Sequence, residues 1–329
     1  MQKYYRWGIL GLGNIAHQFA KGLSVTDKGK LFAVGSRSID KANNFARQYN
    51  AEIAYGSYQE LINDINVDII YIATPHNSHY ELSIQCLNAG KAVLCEKPAA
   101  INSQQFAKVQ KLAIEKNLFF MDAFWARFHP HIKKVMELVE QNTIGEVMLI
   151  QADFGFKVEF DPNHRLFNPV LGGGTILDIG IYPAFLALLL LGYPNEVKAS
   201  AVKGKTKIDE SCGMIFTYKN KKMAVLSSTF LADTEIKASV FGTKGKILLD
   251  EKWFSPSKIF VHINDTEIKE YYYPAKMNGY EYEAEEVMDC LDKNLTESPL
   301  LPLNFTKQLI KLTDEIRKSA GINYIYDEV

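Results

Sequence analysis

The chain has 329 residues, of which 47% are hydrophobic and 23% charged, and a formal net charge of -1. This length exceeds one ordinary hydrophobic core, so we expect a globular protein of two domains. No basic run is interleaved with aromatic residues, which argues against a nucleic-acid partner. The most apolar segment, residues 176–191, contains Asp178, Gly180 and Pro183. We therefore expect a buried helix there and no membrane span.

The cysteines and the N-terminal residues indicate the cellular compartment in which we expect the protein. The four cysteines form no C-x-x-C pair, and the first residues lack the apolar core of a signal peptide. We therefore expect a cytoplasmic protein with reduced thiols.

A glycine-rich turn follows the first apolar strand, at residues 7–10. In the sequence G-L-G-N-I-A, the first glycine permits a tight turn and the second lets a pyrophosphate approach the backbone. Ala16 holds the small position where helix packs on strand. The following helix would direct its N-terminal N–H groups at the phosphates. The pattern predicts dinucleotide contacts from Gly11, Leu12, Gly13, Asn14 and Ile15.

The second strand, residues 31–34, ends in G-S-R-S, where an NAD-specific protein usually places an acid for the ribose hydroxyls. Ser36 and Arg37 offer a hydroxyl and a guanidinium, which suit a 2'-phosphate. They predict NADP as the cofactor, with NAD less favoured. The alternative is a surface arginine that pairs with Asp40.

The strand at residues 67–73 ends in T-P-H-N-S-H. Two histidines three residues apart could ligate a metal, but no third or fourth ligand is arranged nearby. We therefore predict no metal site and interpret four residues of this turn as cofactor contacts, namely Thr74, Pro75, His76 and His79.

A buried strand at residues 92–95 ends in Glu96, Lys97 and Pro98. Ligands of open parallel sheets bind outside the carboxyl ends of the strands, so these charges would lie at the crevice, where we expect Glu96 and Lys97 to contact the cofactor. The alternative is an exposed Glu-Lys pair in a loop. Strands alternate strictly with helices throughout residues 1–123, which predicts a doubly wound parallel sheet of the Rossmann type.

The pattern changes in residues 124–329. After a bridging helix at residues 131–141, short alternating strands follow one another between turns, and helices at residues 281–293 and 305–318 close the chain. We predict an α+β domain with a large open, mainly antiparallel sheet that binds substrate. The overall fold class is α/β.

Several motifs together resemble the glucose-fructose oxidoreductase, inositol dehydrogenase and MocA family. These are the glycine turn, T-P-H-x-x-H, E-K-P, and the triple glycine at residues 172–174 followed by D-x-G-x-Y. The segments M-D-A-F-W-A-R-F-H-P and L-D-I-G-I-Y-P are most similar to the branch of trans-dihydrobenzenediol and D-xylose 1-dehydrogenases, which uses NADP. Many family members have His where this chain has Tyr182, and this difference agrees with the branch.

The resemblance implies hydride transfer at the nicotinamide, with Lys97 and Tyr182 as the catalytic pair. It also implies a homodimer formed through the C-terminal sheet. The roles are chemically reasonable, because a free tyrosine has a pKa of about 10 and a lysine ammonium within hydrogen-bond reach favours tyrosinate. Asp178, one helical turn before Tyr182, would orient the substrate or the lysine. The alternatives are a buried aromatic for Tyr182 and a charge at a helix start for Asp178.

Aromatic and basic residues resemble in placement the pocket lining of that branch. Trp125 and Arg127 are predicted to contact the cofactor, and the substrate lining would comprise Trp125, Phe154, Arg165, Asp178, Tyr182, Trp253 and Tyr280. An aromatic wall suits a flat diol ring or the apolar face of a sugar. We thus expect an NADP-dependent dehydrogenase for an aldose such as D-xylose or a cyclic trans-diol. The alternative is a sensor or co-regulator that binds dinucleotide without turnover.

Overall fold

The computed structural model describes residues 4–264 and 267–327. Two compact units are distinguished by their internal contacts. The first comprises the described residues up to Phe128 together with Ala275–Lys307, and the second comprises His129–Pro274 and the described residues from Gln308 onward. The first unit thus includes a segment that lies far along the chain. The predicted division between residues 123 and 124 stays a prediction.

The first unit alternates strands and helices along most of its length. Its elements are β1 (Tyr5–Leu10), α1 (Asn14–Leu23), β2 (Gly29–Gly35), α2 (Ile39–Tyr49), β3 (Ile53–Tyr55), α3 (Tyr58–Asn63), β4 (Ile69–Ile72), α4 (His79–Asn88), β5 (Ala92–Glu96), α5 (Ser103–Lys116), β6 (Phe120–Ala123) and a 3-10 turn (Trp125–Phe128). All neighbours in its sheet are parallel, in the order β3-β2-β1-β4-β5-β6. The predicted Rossmann sheet is confirmed.

One strand boundary differs from the prediction in a way that matters for the site. The sequence pattern predicts a strand at residues 118–121, whereas β6 spans Phe120–Ala123, so Asp122 lies within the strand and is 1% exposed. A carboxyl side chain normally indicates the end of a buried strand, because burial of a charge is costly. Here Asp122 pairs with Cys95 of β5 in the parallel ladder.

The second unit contains the larger sheet. Its elements, with the two helices that close the chain, are α6 (Pro130–Glu140), β7 (Val147–Gly155), α7 (Ile181–Leu191), β8 (Glu196–Lys203), β9 (Asp209–Thr217), β10 (Met223–Thr229), β11 (Ala238–Gly242), β12 (Gly245–Leu249), β13 (Lys258–Ile263), β14 (Glu267–Tyr272), α8 (Tyr280–Asp292) and α9 (Leu303–Ala320). Of these, α8 belongs to the first unit, and α9 begins there and continues in the second.

The eight strands are ordered β14-β13-β12-β11-β7-β10-β9-β8. Among the described strands, β7 and β10 form the parallel pair and the other neighbours are antiparallel. The predicted mainly antiparallel sheet is confirmed. Burial alternates along β10, where Ala224 and Leu226 are buried while Met223 and Val225 are 39% and 40% exposed. One face of this part of the sheet therefore covers a core and the other is open.

The apolar segment noted in the sequence lies in the second unit. Among the described residues, Pro169–Leu191 is long and apolar enough to cross a membrane. Its most apolar stretch of 18 residues has a mean hydropathy of 1.9, and 83% of that stretch is buried inside the protein. It is divided into a 3-10 turn (Pro169–Leu171), a π-helical turn (Ile176–Gly180) and α7. The burial is that of a core helix, as the sequence predicts.

Candidate active site

The glycine turn of the first unit is shaped for close approach of a ligand. Gly11 has a φ of +83°, and a Cβ atom there would lie 2.8 Å from the carbonyl oxygen of Ala73. At Gly13, by contrast, a Cβ atom would meet no atom of the described chain within 4 Å. Gly13 is also the N-cap of α1 and provides no side chain of its own. The turn therefore fits a dinucleotide, whose pyrophosphate can approach the N–H groups at the start of α1.

The end of β2 presents the residues expected near the adenine ribose. Ser36 is 7% exposed, and its Oγ accepts a hydrogen bond from the Ser38 amide at 3.2 Å. Arg37 is exposed, and within the described part of the chain its guanidinium forms no ion pair, so the pairing with Asp40 is not observed. The ring of Tyr58 lies near enough for the Arg37 charge to oppose the burial that raises the pKa of Tyr58.

His79 ties two of the predicted motifs together. Its side chain is fully buried, with Nδ1 lying 2.8 Å from the Pro98 carbonyl oxygen and Nε2 2.7 Å from the Thr74 carbonyl oxygen. Because a carbonyl oxygen only accepts, both contacts are hydrogen bonds when the ring carries two N–H groups. The ring of His76 lies 5.7 Å away. His79 thus fixes the turn after β4 against the turn after β5.

The strand end that carries Lys97 is held by a buried acid. Glu96 is 7% exposed, its Oε1 accepts a hydrogen bond from the Tyr71 hydroxyl, and its Oε2 accepts one from the Lys97 amide at 3.2 Å. Burial raises the pKa of Tyr71 well above its usual value, and the Glu96 charge adds to this effect. The Glu96 carboxylate therefore orients the backbone at the residue predicted to act in catalysis.

Two further acids lie close to this strand end. Asp122 and Glu283 are 1% and 0% exposed, and in the described part of the chain their oxygens make no hydrogen bond of ordinary geometry. Burial, with Glu96 adding, raises the pKa of Asp122 to about 8, while Lys97 and the Ala99 amide oppose the rise. Burial also raises the pKa of Glu283 well above its usual value, with Glu96 and Asp122 contributing. Neither residue is identified from the sequence, because a single acidic residue among apolar ones belongs to no recognisable motif.

Three predicted residues of the first unit lie in and beside the 3-10 turn that follows β6. Trp125 stacks on Tyr280, the first residue of α8, with ring centroids 4.4 Å apart and an interplanar angle of 18°. Both rings are more than nine-tenths buried, and the Arg127 side chain is 6% exposed. The stack joins two segments that are more than 150 residues apart in sequence, which a linear pattern does not predict.

The second unit brings Asp178 and Arg165 together. The Arg165 Nη1 lies 3.0 Å from Asp178 Oδ1, and Nη2 lies 3.4 Å from Oδ2, so the pair is bidentate. The Asp178 side chain is 6% exposed and that of Arg165 is 48% exposed. Asp178 lies in the π-helical turn, a geometry that often marks functional sites. The carboxylate thus anchors the guanidinium of a side chain that is about half exposed.

Tyr182 lies in the first turn of α7, within an aromatic cluster. The ring centroid of Phe154 is 5.5 Å away and that of Phe254 is 5.0 Å away, and these two phenylalanines stack on each other at 4.1 Å. Phe254 was missed in the sequence, where the neighbouring Trp253 was singled out. Trp253 is fully buried, and its Nε1 donates a hydrogen bond to the Asp153 carbonyl oxygen at 3.2 Å.

The predicted site residues therefore fall in both units. Those of the first unit are Gly11, Leu12, Gly13, Asn14, Ile15, Ser36, Arg37, Thr74, Pro75, His76, His79, Glu96, Lys97, Trp125, Arg127 and Tyr280, and those of the second are Phe154, Arg165, Asp178, Tyr182 and Trp253. Among the residues that the structure describes, no group of three or more His, Cys, Asp or Glu side chains is arranged to hold a metal ion.

Comparison with known proteins assigns the chain to a protein family. Residues 5–124 match the model of an oxidoreductase family with an NAD-binding Rossmann fold, and residues 132–248 match the GFO/IDH/MocA C-terminal domain. The chain belongs to the GFO/IDH/MocA family. The predicted family is thereby confirmed, and the chain is an oxidoreductase with a Rossmann unit for a nicotinamide dinucleotide.

Relatives in this family span the whole chain. The chain is 37% identical over 328 residues to trans-1,2-dihydrobenzene-1,2-diol dehydrogenase of Xenopus tropicalis, covering 97% of this chain and 99% of the relative. The human protein of that name is 32% identical over 332 residues, covering 98% and 99%. These relatives are named dehydrogenases, which supports the predicted enzyme class.

Two solved structures share the fold. KijD10, a 3-ketoreductase from Actinomadura kijaniata, in complex with NADP and TDP-benzene, superposes with a TM-score of 0.87 at 23% identity, covering 96% of this chain and 98% of that one. Aldose-aldose oxidoreductase from Caulobacter crescentus has a TM-score of 0.88 at 22% identity, covering 97% and 98%.

Proposed function

We propose that this protein is an NADP-dependent dehydrogenase that oxidises a cyclic trans-diol, with aldoses such as D-xylose as the second substrate class. The observation that carries the proposal is the stack of Phe154 and Phe254 beside Tyr182. A pair of stacked phenyl rings offers a flat apolar wall, which suits an unsaturated six-membered ring better than a polyhydroxylated sugar. The full-length relatives named trans-1,2-dihydrobenzene-1,2-diol dehydrogenase support the same substrate.

The proposed cofactor is NADP. The glycine turn and the start of α1 would bind the pyrophosphate, and Ser36 and Arg37 would bind the 2'-phosphate. The exposed Arg37 guanidinium, which makes no ion pair within the described chain, supports this assignment. When bound, the oxidised nicotinamide supplies the hydride acceptor.

The proposed proton path uses Tyr182 and Lys97. As the hydride leaves the carbinol carbon, the hydroxyl proton must leave too, and the Tyr182 oxygen is proposed to take it. The Lys97 ammonium would favour the tyrosinate and stabilise negative charge on the substrate oxygen. Loss of one hydride and one proton converts the carbinol to a ketone. In a trans-dihydrobenzenediol this ketone becomes the aromatic catechol by moving a further proton.

Arg165 and Asp178 are proposed to orient the substrate. The bidentate ion pair fixes the guanidinium of this half-exposed side chain, and we propose that the guanidinium donates to the second hydroxyl of a diol. Asp178 would then act through Arg165, and this refines its expected direct role. The remaining lining residues, Trp125, Trp253 and Tyr280, stay predictions.

The test is a substrate panel. NADP reduction is followed by absorbance with trans-dihydrobenzenediol, D-xylose, D-glucose and inositols, and NAD is compared under the same conditions. We expect the highest kcat/KM for the trans-diol with NADP. Binding of NADP without turnover of any compound in the panel would contradict the proposal and favour a dinucleotide sensor.

We also propose a homodimer formed through the open face of the second sheet. Ile215 of β9 is paired with Val225 of β10, and the two side chains are 43% and 40% exposed. Adjacent apolar side chains on one face favour association with another apolar surface. We further propose a cytoplasmic location, which agrees with the four free, buried cysteines.

A further inference from the structure

The start of the helix that carries Asp178 and Tyr182 is hydrogen-bonded to a buried acid, Asp209. Asp209, the first residue of β9, is fully buried, and its Oδ2 accepts hydrogen bonds from the Thr175 hydroxyl at 2.7 Å and from the Ile176 amide at 2.6 Å. The amides of a first helical turn have no partner inside the helix. Asp209 therefore satisfies such an amide and adds its negative charge to the positive end of the helix dipole.

A second hydroxyl fixes the same turn from the sheet. The Ser228 Oγ of β10 donates a hydrogen bond to the Thr175 Oγ1 at 3.1 Å, and both side chains are buried. A Cβ atom on Gly180 would lie 2.9 Å from the Ser228 Oγ. Ser228 thus contacts the beginning of the π-helical turn and packs closely against its end.

The glycines that precede the π-helical turn are also held by close contacts and hydrogen bonds. Gly174 has a φ of +112°, and a Cβ atom there would collide with Asp209 Oδ1 and lie 2.8 Å from the Tyr324 hydroxyl oxygen. The Gly174 amide donates to the Leu166 carbonyl oxygen at 2.9 Å, while the Tyr324 hydroxyl donates to the Gly173 carbonyl oxygen. The glycine turn therefore joins the loop of Arg165 to the helix of Asp178.

We propose that Asp209 is a positioning residue whose carboxylate, through Thr175 and the Ile176 amide, fixes the helical turn that presents Asp178 and Tyr182. The inference rests on the proposed function in one respect only, the proposed roles of Tyr182 in proton transfer and of Asp178 in holding Arg165. Asp209 itself contacts the start of the helix and has no role in the reaction steps above. A displacement of about 1 Å at a reacting group can lower a rate about a hundredfold.

The charge of Asp209 also makes this contact sensitive to pH. Burial raises the pKa of Asp209 from 3.8 to about 6, while the Ile176 amide, the Thr175 hydroxyl and the Arg317 charge oppose the rise. Burial raises the pKa of Tyr324 and of Cys212 nearby, and the Asp209 charge adds to both rises. Below about pH 6 Asp209 gains a proton, and its hydrogen bonds to the helix start lose their charge-assisted strength.

The experiment measures the helix start in the cofactor-free full chain, without any substrate. Amide hydrogen exchange in the peptide of residues 174–186 is compared for the wild type, Asp209→Asn, Thr175→Val and Thr175→Ser. We expect Asp209→Asn and Thr175→Val to lose protection about tenfold or more. Thr175→Ser keeps the hydroxyl and should retain wild-type protection. In the wild type, protection corrected for the intrinsic rate should fall below about pH 6, and in Asp209→Asn it should not depend on pH.

Kinetics give the second readout. With the substrate found in the panel, Asp209→Asn should lower kcat about ten- to a hundredfold while the Kd for NADP stays unchanged. Tyr193→Phe is the matched control, because it removes a hydrogen bond to Glu315 just beyond the other end of α7. It should change neither kcat nor exchange in residues 174–186.

The outcomes separate the two proposals. Unchanged exchange in Asp209→Asn, or equal losses in Thr175→Val and Thr175→Ser, would overturn the positioning role. If Asp209→Asn fails to fold, the comparison of Thr175→Val with Thr175→Ser decides the positioning role. Wild-type protein without turnover would refute the proposed function and leave the exchange result to judge Asp209.

Discussion

Replacing Asp122 by Asn tests whether the buried Asp122 carboxyl, near the strand end that carries Lys97, is protonated in the folded chain. Asp122 is 1% exposed and pairs with Cys95, whereas Glu96 pairs with Ala123, so the two carboxyls leave the sheet on opposite faces. Burial, with the Glu96 charge adding, raises the pKa of Asp122 to about 8. At neutral pH Asp122 therefore keeps its proton in the folded chain. In the unfolded chain the same carboxyl loses its proton at about pH 4.

The sign and size of the effect follow from this difference. Between about pH 4 and pH 8 the unfolded state binds fewer protons than the folded state, so the free energy of unfolding falls as pH rises. Each pH unit in this range costs about 1.4 kcal/mol, which gives about 4 kcal/mol between pH 5 and pH 8. Asn does not titrate. Relative to the wild type, Asp122→Asn should therefore gain about 4 kcal/mol over the same interval, whatever its stability at pH 5.

The assay is urea unfolding followed by circular dichroism at pH 5, 6, 7 and 8. Asp64→Asn serves as the control, because the Asn66 and Tyr55 hydrogen bonds outweigh burial and lower the pKa of Asp64. Asp64 is thus charged in both states throughout the interval, and its variant should differ from the wild type by a constant amount. A constant difference for Asp122→Asn, or one that shifts in favour of the wild type, would refute the buried proton.

Three further predictions concern the proposed site and assembly. Arg37→Ala should raise the KM for NADP about ten- to a hundredfold, as expected for a charge-assisted hydrogen bond of roughly 1.5 to 3 kcal/mol, and should leave that for NAD nearly unchanged; equal effects on both cofactors would contradict the 2'-phosphate contact. Tyr182→Phe and Lys97→Met should each lower kcat by about two to four orders of magnitude with NADP binding intact by fluorescence titration, and the double variant should be little worse than either; losses that multiply would exclude a joint proton path. Ile215→Glu should convert a dimer to a monomer in sedimentation velocity, whereas Ile114→Glu, at a 63% exposed position of α5, should not.

The Rossmann unit could be predicted because its signals are local. A strand, a glycine turn and a helix start lie close together in the sequence, and Gly11 has the positive φ that the motif requires. Ser38 accepts a hydrogen bond from the Lys41 amide as an N-cap. The sequence S-x-x-E at residues 57–60 has the pattern of a capping box, and Ser57 accepts a hydrogen bond from the Glu60 amide as the N-cap of α3. Each of these contacts spans only a few residues, so the sequence alone contains both partners.

Contacts between distant segments could not be predicted in this way. The ring of Tyr280 reaches Trp125 because α8 belongs to the first unit, although it follows the second unit's strands in the chain. Asp209 was not singled out because D-E-S resembles a polar turn, and only the structure shows that β9 begins there. Phe254 was passed over for Trp253, since no sequence pattern reveals which of two adjacent aromatic side chains faces Tyr182.

Asp209 and Asp122 are both buried, but their carboxyl groups are expected in opposite charge states near neutral pH. Asp209 binds the Ile176 amide and Thr175 hydroxyl most strongly as a carboxylate, which its pKa of about 6 permits above that pH. Asp122, raised by burial to a pKa of about 8, stays neutral below that pH and adds no second charge beside Glu96. Between about pH 6 and pH 8, Asp209 is charged at the start of the helix that carries Tyr182, and Asp122 is uncharged near the strand end that carries Lys97. This interval includes neutral pH, at which the proposed pair of Tyr182 and Lys97 would transfer a proton.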